Sequence, residues 1–408
     1  MNPAQNLRTM ESEYAAGKVV VENLPSFLTI ETTSICNLRC VMCPHSIGGV
    51  HRPQHLPNEV VDALANVMPA ANQVQLHGIG EPMASPSFWR ALDSATLDQD
   101  AEVSINTNLT LLNKRKLGLL LDAKPRLTIN VSLDAATADT YRKIRGADFH
   151  EVLGNLALLR DGRGERAYPR IYINMTLMRI NIEEAPKFVE LAHRLRVDAV
   201  LFGHLNHWPA REMVRYRQER NGWKFDYAQE GLWNHEVLSD QCVRAAMQRG
   251  QDLGIEVVID SNKQALFKGS SSPLDEASNA PSETATADLP TSNEPLAETI
   301  KDCRHPWQWA MITADGAMRP CCYGADVGNV TEQGFEAVWN GAAMQALRRD
   351  IRADRINPVC ANAACKYVQT SLKVNPKERM RAAQMKGAER LKRTTARVIW
   401  LATRWLRE

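Results

Sequence analysis

The chain has 408 residues, and 49 Lys and Arg nearly balance 47 Asp and Glu, which leaves a formal net charge of +2. Its 44% hydrophobic and 24% charged residues exclude collagen and a chain that is disordered throughout. No apolar run approaches the ~18 residues of a membrane-spanning helix, and the polar segment from Met1 to Tyr14 lacks the apolar region of a secretory signal. A cytoplasmic protein of two or three domains is therefore expected.

A first part, residues 1–26, is an N-terminal extension, and residues 27–260 alternate short apolar runs with helical periodicity. Near-continuously apolar runs predict strands over Phe27–Glu31, Gln73–Gly78, Glu102–Asn106, Leu127–Leu133, Arg170–Leu177 and Ala199–Gly203. Helices are predicted near Asn58–Val67, Ser87–Ala95, Lys114–Asp122, Phe149–Asp161 and Ile182–Leu195. Six such units predict an α/β fold, a partial (β/α)6 TIM-like barrel. A flat doubly wound sheet fits the pattern almost as well.

The remaining chain divides by composition into three parts. Residues 261–300 are predicted to be a flexible acidic linker, because Gly269–Ile300 holds six acidic residues, four Pro and no Lys or Arg. A compact cysteine-bearing module is expected over residues 301–370. The tail over residues 371–408 carries four Lys and seven Arg against three Glu, a local net charge of +8.

The nine cysteines are clustered. Three lie at Cys36, Cys40 and Cys43, five lie between Cys303 and Cys365, and Cys242 stands alone. In a reducing cytoplasm, such clusters indicate metal or redox chemistry more often than disulfides.

The first cluster has the spacing Cys-x3-Cys-x2-Cys on a loop directly after the first predicted strand. That strand end is where β-α barrels carry their chemistry. Structural zinc normally takes four protein ligands, whereas three cysteines on a [4Fe–4S] cubane leave one iron open for a substrate. Three buried free cysteines are the bland alternative.

This pattern resembles the signature of the radical S-adenosylmethionine (SAM) enzymes. The resemblance implies that Cys36, Cys40 and Cys43 hold a [4Fe–4S] cluster whose open iron chelates SAM. Reductive cleavage of SAM then yields a 5′-deoxyadenosyl radical, which abstracts a hydrogen atom from the substrate. Met42 stands where the family often has an aromatic residue near the adenine, and its soft apolar side chain can fill that place.

Further positions follow the resemblance along the next strands. Gly78-Ile79-Gly80-Glu81-Pro82 is similar to the family's Gly-Gly-Glu motif, which implies that Glu81 accepts hydrogen bonds from the SAM ammonium. Without the cysteines, an ordinary turn at the end of a strand explains the motif equally well. The other implied SAM-contacting positions are the polar strand end Thr107 and Asn108, the ribose-contacting pair Ser132 and Asp134, and Arg145 for the SAM carboxylate. A solvated helix-end arginine is the alternative for Arg145.

The second cysteine cluster is similar to the family's auxiliary-cluster domains, called SPASM with two clusters and twitch with one. Five cysteines are present where the full SPASM pattern needs about seven. The resemblance implies one auxiliary [4Fe–4S] cluster, with Cys322 as the spare thiol. Its expected ligands are Cys303, Cys321, Cys360 and Cys365. The choice between Cys321 and Cys322 stays open, and a structural zinc on the same four thiolates is the alternative.

Three other side chains are candidates for contact with substrate. Cys242 is either a small core residue or a thiol that returns a hydrogen atom to a substrate radical. His204 and His207 follow the sixth strand, at the expected mouth of the barrel, although the sequence favours packed or solvated histidines.

The expected activity is hydrogen abstraction from a small or carbohydrate-like molecule, with dehydrogenation or epimerisation as the outcome. The alternative is a maturase of a ribosomally made peptide. It is disfavoured here because the 35 residues before Cys36 show no leader-binding domain. An electron donor such as flavodoxin or ferredoxin is expected, and nucleic acid is not. A non-enzymatic zinc-stabilised α/β binding protein is the distant alternative.

The basic tail, residues 371–408, gives a separate prediction. On a helical wheel, residues 387–407 place apolar and basic side chains on opposite arcs, which favours peripheral contact with an anionic membrane. The apolar arc comprises Leu391, Val398, Ile399, Leu401, Ala402, Trp405 and Leu406. A helix that docks this arc on the barrel is the alternative.

Overall fold

The computed structural model describes residues 1–47, 52–95, 102–123, 126–205, 216–259, 298–300, 302–360 and 368–370. Most of the predicted linker, the predicted basic tail, His207 and Cys365 lie outside the described residues.

The described chain contains helices and strands in alternation over its first two thirds. The strands are β1 Phe27–Ile30, β2 Gln73–Leu76, β3 Glu102–Thr107, β4 Leu127–Ser132, β5 Arg170–Leu177, β6 Ala199–His204, β7 Arg217–Arg220, β8 Trp223–Asp226, β9 Glu256–Ile259, β10 Glu298–Ile300, β11 Trp309–Ile312, β12 Ala317–Arg319, β13 Gly328–Asn329 and β14 Val368–Thr370. The helices are α1 Pro3–Ala15, α2 Asn58–Leu64, α3 Pro86–Ala95, α4 Lys114–Asp122, α5 Ala138–Arg145, α6 Phe149–Arg163, α7 Ala185–Leu195, α8 Tyr227–Glu230, α9 Glu236–Leu253, α10 His305–Gln308, α11 Val330–Gln333, α12 Phe335–Trp339 and α13 Ala342–Arg352. No helix in these described ranges is long and apolar enough to cross a membrane.

One large sheet organises the molecule. Its strand order is β13-β12-β11-β1-β2-β3-β4-β5-β6-β9, and β1 to β6 run parallel in chain order. All six predicted strands are present, and the α/β fold with a six-unit parallel sheet is confirmed. The sheet extends further than predicted, because β9 adds to β6 and β11 adds to β1, both in parallel.

The cysteine-bearing module begins inside this sheet. Strand β11 pairs with β1 in the register Phe27↔Trp309 to Ile30↔Ile312, and β12 then returns antiparallel to β11. The predicted division at residue 301 stays a prediction. The β1–β11 ladder nevertheless means that the cysteine loop after β1 and the module share one sheet.

The strands alternate between two faces, and this differs from the prediction of near-continuously apolar strands. Residues such as Val103, Ile105 and Ile129 are fully buried on the face that packs against the helices. The intervening positions are partly buried and polar, as in the burial patterns of β3, β4 and β5. Successive side chains of a strand point to opposite faces, so the second face, which we call the inner face, is a polar surface.

The N-terminal extension packs into the molecule as an integral part. The Asn6 amide donates to the backbone oxygens of Leu24 and Ala70, both at 2.9 Å. The Trp307 indole donates to Lys18 O at 2.8 Å, and the Trp339 indole donates to Asn23 O at the same distance. Residues 18–23 therefore lie between the first helix and the cysteine-bearing module.

Candidate functional site: two cysteine regions on one sheet

The three predicted cluster ligands lie on the loop that follows β1. Cys40 is buried, and Cys36 and Cys43 are partly buried. The loop is held by its backbone, since Val41 N donates to Ile144 O at 2.9 Å and Cys43 N donates to Cys40 O at 3.1 Å. It is therefore anchored on α5, an element that the sequence reasoning did not predict.

Burial dominates the electrostatics of the three thiols. It raises the pKa of each, and burial together with the nearby Cys40 raises the pKa of Cys43 to about 12. The thiols are thus protonated at neutral pH unless a metal centre displaces their protons. Among the described residues, no group of three His, Cys, Asp or Glu side chains is placed to hold a single metal ion.

Two hydrogen-bond donors point at the sulfur atoms. Arg145 Nη1 lies 3.6 Å from Cys40 Sγ, and Asn108 Nδ2 lies 4.0 Å from Cys36 Sγ. The ligands of an iron–sulfur cluster are cysteine thiolates, and its sulfur atoms accept hydrogen bonds. Three cysteines on one loop, with a guanidinium and an amide directed at their sulfur atoms, fit such a cluster. The chemistry of the residues therefore suits the group that the sequence implies.

Arg145 and Asp134 form a buried ion pair. Arg145 Nε and Nη2 donate to Asp134 Oδ2 at 2.7 and 2.5 Å, and Thr176 N donates to Asp134 Oδ1 at 2.6 Å. Burial alone lowers the pKa of Arg145, but the charges of Asp134 and Cys40 outweigh it and raise the pKa. The sequence suggested separate SAM contacts for these residues, whereas here they bind each other beside Cys40.

Glu81 is a buried carboxylate at the centre of a second network. Its Oε1 accepts from Thr107 Oγ1 at 2.6 Å and from Met83 N at 3.2 Å, and its Oε2 accepts from Asn108 N at 2.7 Å. Asn108 Nδ2 in turn donates to Asn37 Oδ1 at 3.0 Å. The structure thus brings three predicted site residues together and connects them to the cysteine loop.

The glycines of the loop after β2 have protein neighbours. A Cβ at Gly78 would lie 2.3 Å from Glu31 Cγ, and one at Gly80 would lie 2.3 Å from Thr33 O. The resemblance implies that this loop contacts SAM; in the structure, the absence of a Cβ at Gly78 and Gly80 allows the loop to pack closely against the residues that follow β1. Glu31 itself was missed by the sequence reasoning, although a carboxylate directly after a buried apolar strand is a signal that identifies it.

A small cavity opens on the inner face at the carboxyl ends of the strands. It has a volume of about 120 Å³, and Ser132, Asp134, Asn106, Asn174 and Thr176 are among its lining residues. Ser132 therefore lies where a bound molecule can reach it.

The segment that follows β6 covers the cysteine loop, which the sequence did not indicate. Strands β7 and β8 form an antiparallel hairpin, and Gln218 Nε2 on β7 donates to Val41 O at 2.9 Å. Met42 packs against a small cluster that contains Phe225 and Tyr227 of this segment. Tyr216 and Trp223 also pack there, and such alternating aromatic residues are typical of strands.

Two of the other candidates lie on described elements. His204 is buried at the end of β6. Cys242 lies on α9, partly buried against the main core, and burial raises the pKa of its thiol. The packing is compatible with the first of the two interpretations of Cys242, and its role stays a prediction.

In the C-terminal module, Cys303 and Cys321 are buried, while Cys322 and Cys360 are partly buried. Cys303 lies before α10, Cys321 follows β12, and Cys360 ends a short turn of helix that begins at Pro358. The greater burial of Cys321 favours it over Cys322 as a ligand, and the ligand set itself stays a prediction.

Comparisons with known proteins find a family model that matches each of the two segments with clustered cysteines. Residues 30–192 match the family model of the radical SAM superfamily, and residues 303–366 match that of the SPASM iron–sulfur cluster-binding domain. Together the two models cover more than half of the 408 residues.

Individual relatives vary in coverage. The AdoMet-dependent heme synthase of Methanosarcina barkeri is 24% identical over 348 residues, which are 81% of this chain and 87% of that protein. The mycofactocin maturase MftC of Mycobacterium tuberculosis is 30% identical over 178 residues, and this match spans 42% of each chain. The crystal structure of Streptococcus suis SuiB bound to precursor peptide SuiA has a TM-score of 0.55 at 13% identity, covers 84% of this chain and 70% of that one, and supports the fold alone. The chain belongs to the radical SAM superfamily of enzymes and carries a C-terminal SPASM iron–sulfur domain.

Proposed function

We propose that this enzyme modifies a ribosomally made peptide by hydrogen-atom abstraction. The sequence alone favoured a small or carbohydrate-like substrate, whereas two of the compared proteins support the peptide alternative. One relative is named a maturase, and a structural neighbour was solved with a precursor peptide. The observation on this chain that carries the proposal is the chemistry of its inner face.

Toward the carboxyl ends of the strands, the inner face carries the neutral amides and hydroxyls of Asn106, Ser132, Asn174 and Thr176. Asn130 Nδ2 donates to Asn106 Oδ1 at 2.9 Å, and Gln75 Oε1 pairs with the His77 ring at 2.9 Å. Within the described residues, Asn174 Oδ1 is buried without a donor. Peptide groups are neutral and carry one donor and one acceptor each, so they match carboxamide side chains.

The same face offers little to an anion. Arg145, which contacts the cavity-lining residue Asp134, is already paired with that carboxylate. Phosphates and carboxylates are best bound by free guanidinium or ammonium groups. This supports a neutral reacting group, and the maturase relative supports a peptide among neutral substrates.

The superfamily implies SAM and a [4Fe–4S] cluster at the first cysteine region and an auxiliary cluster at the second. When bound, the cluster at the first cysteine region supplies the electron that cleaves SAM to the hydrogen-abstracting radical. In the proposal, Cys36, Cys40 and Cys43 hold the cluster, and Arg145 donates toward its sulfur ligand Cys40. The loop residues Gly78, Gly80 and Glu81, with Thr107, Asn108, Ser132, Asp134 and Met42, surround the SAM position.

Substrate turnover is tested by following a deuterium label. Peptides encoded by short reading frames beside the gene, prepared with deuterated residues, are incubated with reconstituted enzyme, SAM and dithionite without oxygen. We expect deuterium in 5′-deoxyadenosine and a mass change in the peptide. A panel of deuterated sugars and aminocyclitols is the control. Label that arrives from this panel and from none of the peptides contradicts the proposal.

The auxiliary module is proposed to accept an electron from the substrate radical or to position the substrate, while flavodoxin or ferredoxin supplies the reducing electron. Replacing Cys303 and Cys360 with Ala should therefore leave SAM cleavage detectable while modified product is lost. Cys303 is part of the main core, so the iron content and melting temperature of the variant must be measured alongside. Full product formation by a variant that has lost about four irons would contradict this role.

The tail is proposed to hold the enzyme at an anionic membrane surface. Each basic residue near such a surface contributes about 1 kcal/mol, so a chain ending at Val374 should lose binding to anionic liposomes. Co-sedimentation at low and high salt measures this, with neutral liposomes as the control. Equal sedimentation of the full and shortened chains with anionic liposomes would favour the docking alternative.

A further inference from the structure

We propose that Glu31 is a positioning residue that couples the SPASM module to the loop of residues 78–81. The inference rests on the proposed function, which assigns that loop to SAM binding. In this role, Glu31 fixes the position of one segment of the chain relative to another that is distant in sequence. Glu31 does not itself touch the reacting atoms.

Glu31 lies where three segments meet. It directly follows β1, and its backbone N–H donates to Ile312 O at 2.8 Å, which continues the ladder between β1 and β11. Its side chain is buried, with 4% of the residue exposed. A carboxylate in this setting is costly unless its oxygens accept hydrogen bonds.

Each oxygen of the carboxylate accepts from a different loop. Oε1 accepts from Ile79 N at 2.6 Å, within the Gly78–Glu81 loop, and Oε2 accepts from Ala314 N at 3.0 Å, in the turn after β11. This turn is closed by Gly316 N donating to Thr313 O at 2.8 Å and leads into β12, which ends just before Pro320 and Cys321. One side chain therefore joins the proposed SAM loop to the strand pair of the auxiliary module.

The contact leaves the loop little freedom. The Glu31 side chain passes so close to Gly78 that any Cβ there would overlap it. At the other end of the loop, Glu81 N donates to Ile35 O at 2.9 Å, next to Cys36. A shift of the module at Ala314 is thus transmitted through Glu31 to Ile79 and to the residue that precedes the first cluster ligand.

Two variants separate the two sides of this contact. Glu31→Gln keeps the size of the side chain but turns one of its two acceptors into a donor that faces a backbone N–H. Ala314→Pro removes the N–H on the module side, and proline is favoured at the second position of the common β-turns. Glu13→Gln is the matched control, because Glu13 is also buried and accepts from Glu22 N and Asn23 N, away from both loops.

The measurement is the dissociation constant of SAM for the reconstituted holoenzyme, with iron content and melting temperature measured on the same samples. We expect Glu31→Gln and Ala314→Pro each to weaken SAM binding roughly tenfold at full iron content, as loss of one charge-assisted hydrogen bond predicts. Glu13→Gln should lower only the melting temperature. Unchanged SAM binding in Glu31→Gln, or a loss in Glu31→Gln that Ala314→Pro does not share, overturns the coupling.

These outcomes are distinct from failure of the proposed function. If wild-type enzyme binds and cleaves SAM but transfers no label from any peptide, the substrate assignment fails while the Glu31 experiment is still decisive. If wild-type holoenzyme binds no SAM, the proposed function and the coupling fail together.

Discussion

Replacing Cys36, Cys40 and Cys43 together with alanine is expected to abolish formation of 5′-deoxyadenosine from SAM under dithionite without oxygen. All three thiols are needed to hold a cubane with one open iron, so no SAM-binding iron remains. Wild-type enzyme should contain about eight irons, from two [4Fe–4S] clusters, and the triple variant about four. The loop itself should persist, because Val41 is held by the backbone of Ile144 and by Gln218.

Cys242→Ala is the control for this experiment, since it removes a thiol that lies on α9 and belongs to neither cysteine region. It should retain both the iron and the cleavage of SAM. Unchanged 5′-deoxyadenosine production by the triple variant would refute the assignment of the first cluster. Wild-type protein that saturates at four irons would instead mean that the auxiliary module is zinc-bound or empty.

Replacing Arg348 with methionine is expected to lower the free energy of unfolding by about 3–5 kcal/mol, because it leaves several buried acceptors without a donor. Arg348 on α13 is completely buried, and its guanidinium donates to four oxygen atoms. These are Pro306 O at 3.0 Å, Val19 O at 2.8 Å, Asn340 Oδ1 at 3.1 Å and Trp339 O at 3.0 Å. Burial lowers the pKa of Arg348 to about 10, so the cation persists at neutral pH.

Urea denaturation of the holoenzyme measures this effect. Arg349→Met on the same helix is the control, because Arg349 is exposed and its replacement should change the free energy of unfolding by less than about 0.5 kcal/mol. Arg348→Lys should recover only part of the loss, since an ammonium cannot reach all four acceptors in the geometry of a planar guanidinium. Equal stabilities of Arg348→Met and Arg349→Met would show that the buried network contributes nothing.

Strands β1 to β6 were predicted to within two residues at each end, because short apolar runs between helical segments identify buried parallel strands. The partner of β1 could not be predicted. β11 lies some 280 residues away in sequence, and a single chain's pattern does not encode which distant strand it pairs with. Helix α5 was also missed, although its Thr137 N-cap and the left-handed Gly146 after its end are recognisable signals.

The two cysteine regions were predictable because the spacing of their cysteines is itself chemical information. The partners of the surrounding residues were not, as Arg145 and Asp134 show by binding each other. The sequence identifies which polar groups lie near a site. Which of these groups form hydrogen bonds with each other depends on their distances in the folded protein. The inner-face amides were overlooked for a related reason: Asn106, Asn130 and Asn174 are single polar residues within strands whose other face is apolar.

The ladder between β1 and β11 has a consequence for how the protein is made. During synthesis β2 follows β1 after about forty residues, but β11 leaves the ribosome much later, so one edge of β1 stays unpaired for most of translation. An open edge next to an apolar strand invites pairing with other chains. Interruption of synthesis before Ile312 therefore leaves the middle of the sheet exposed, and we expect such nascent chains to depend on chaperones that cover the β1 edge.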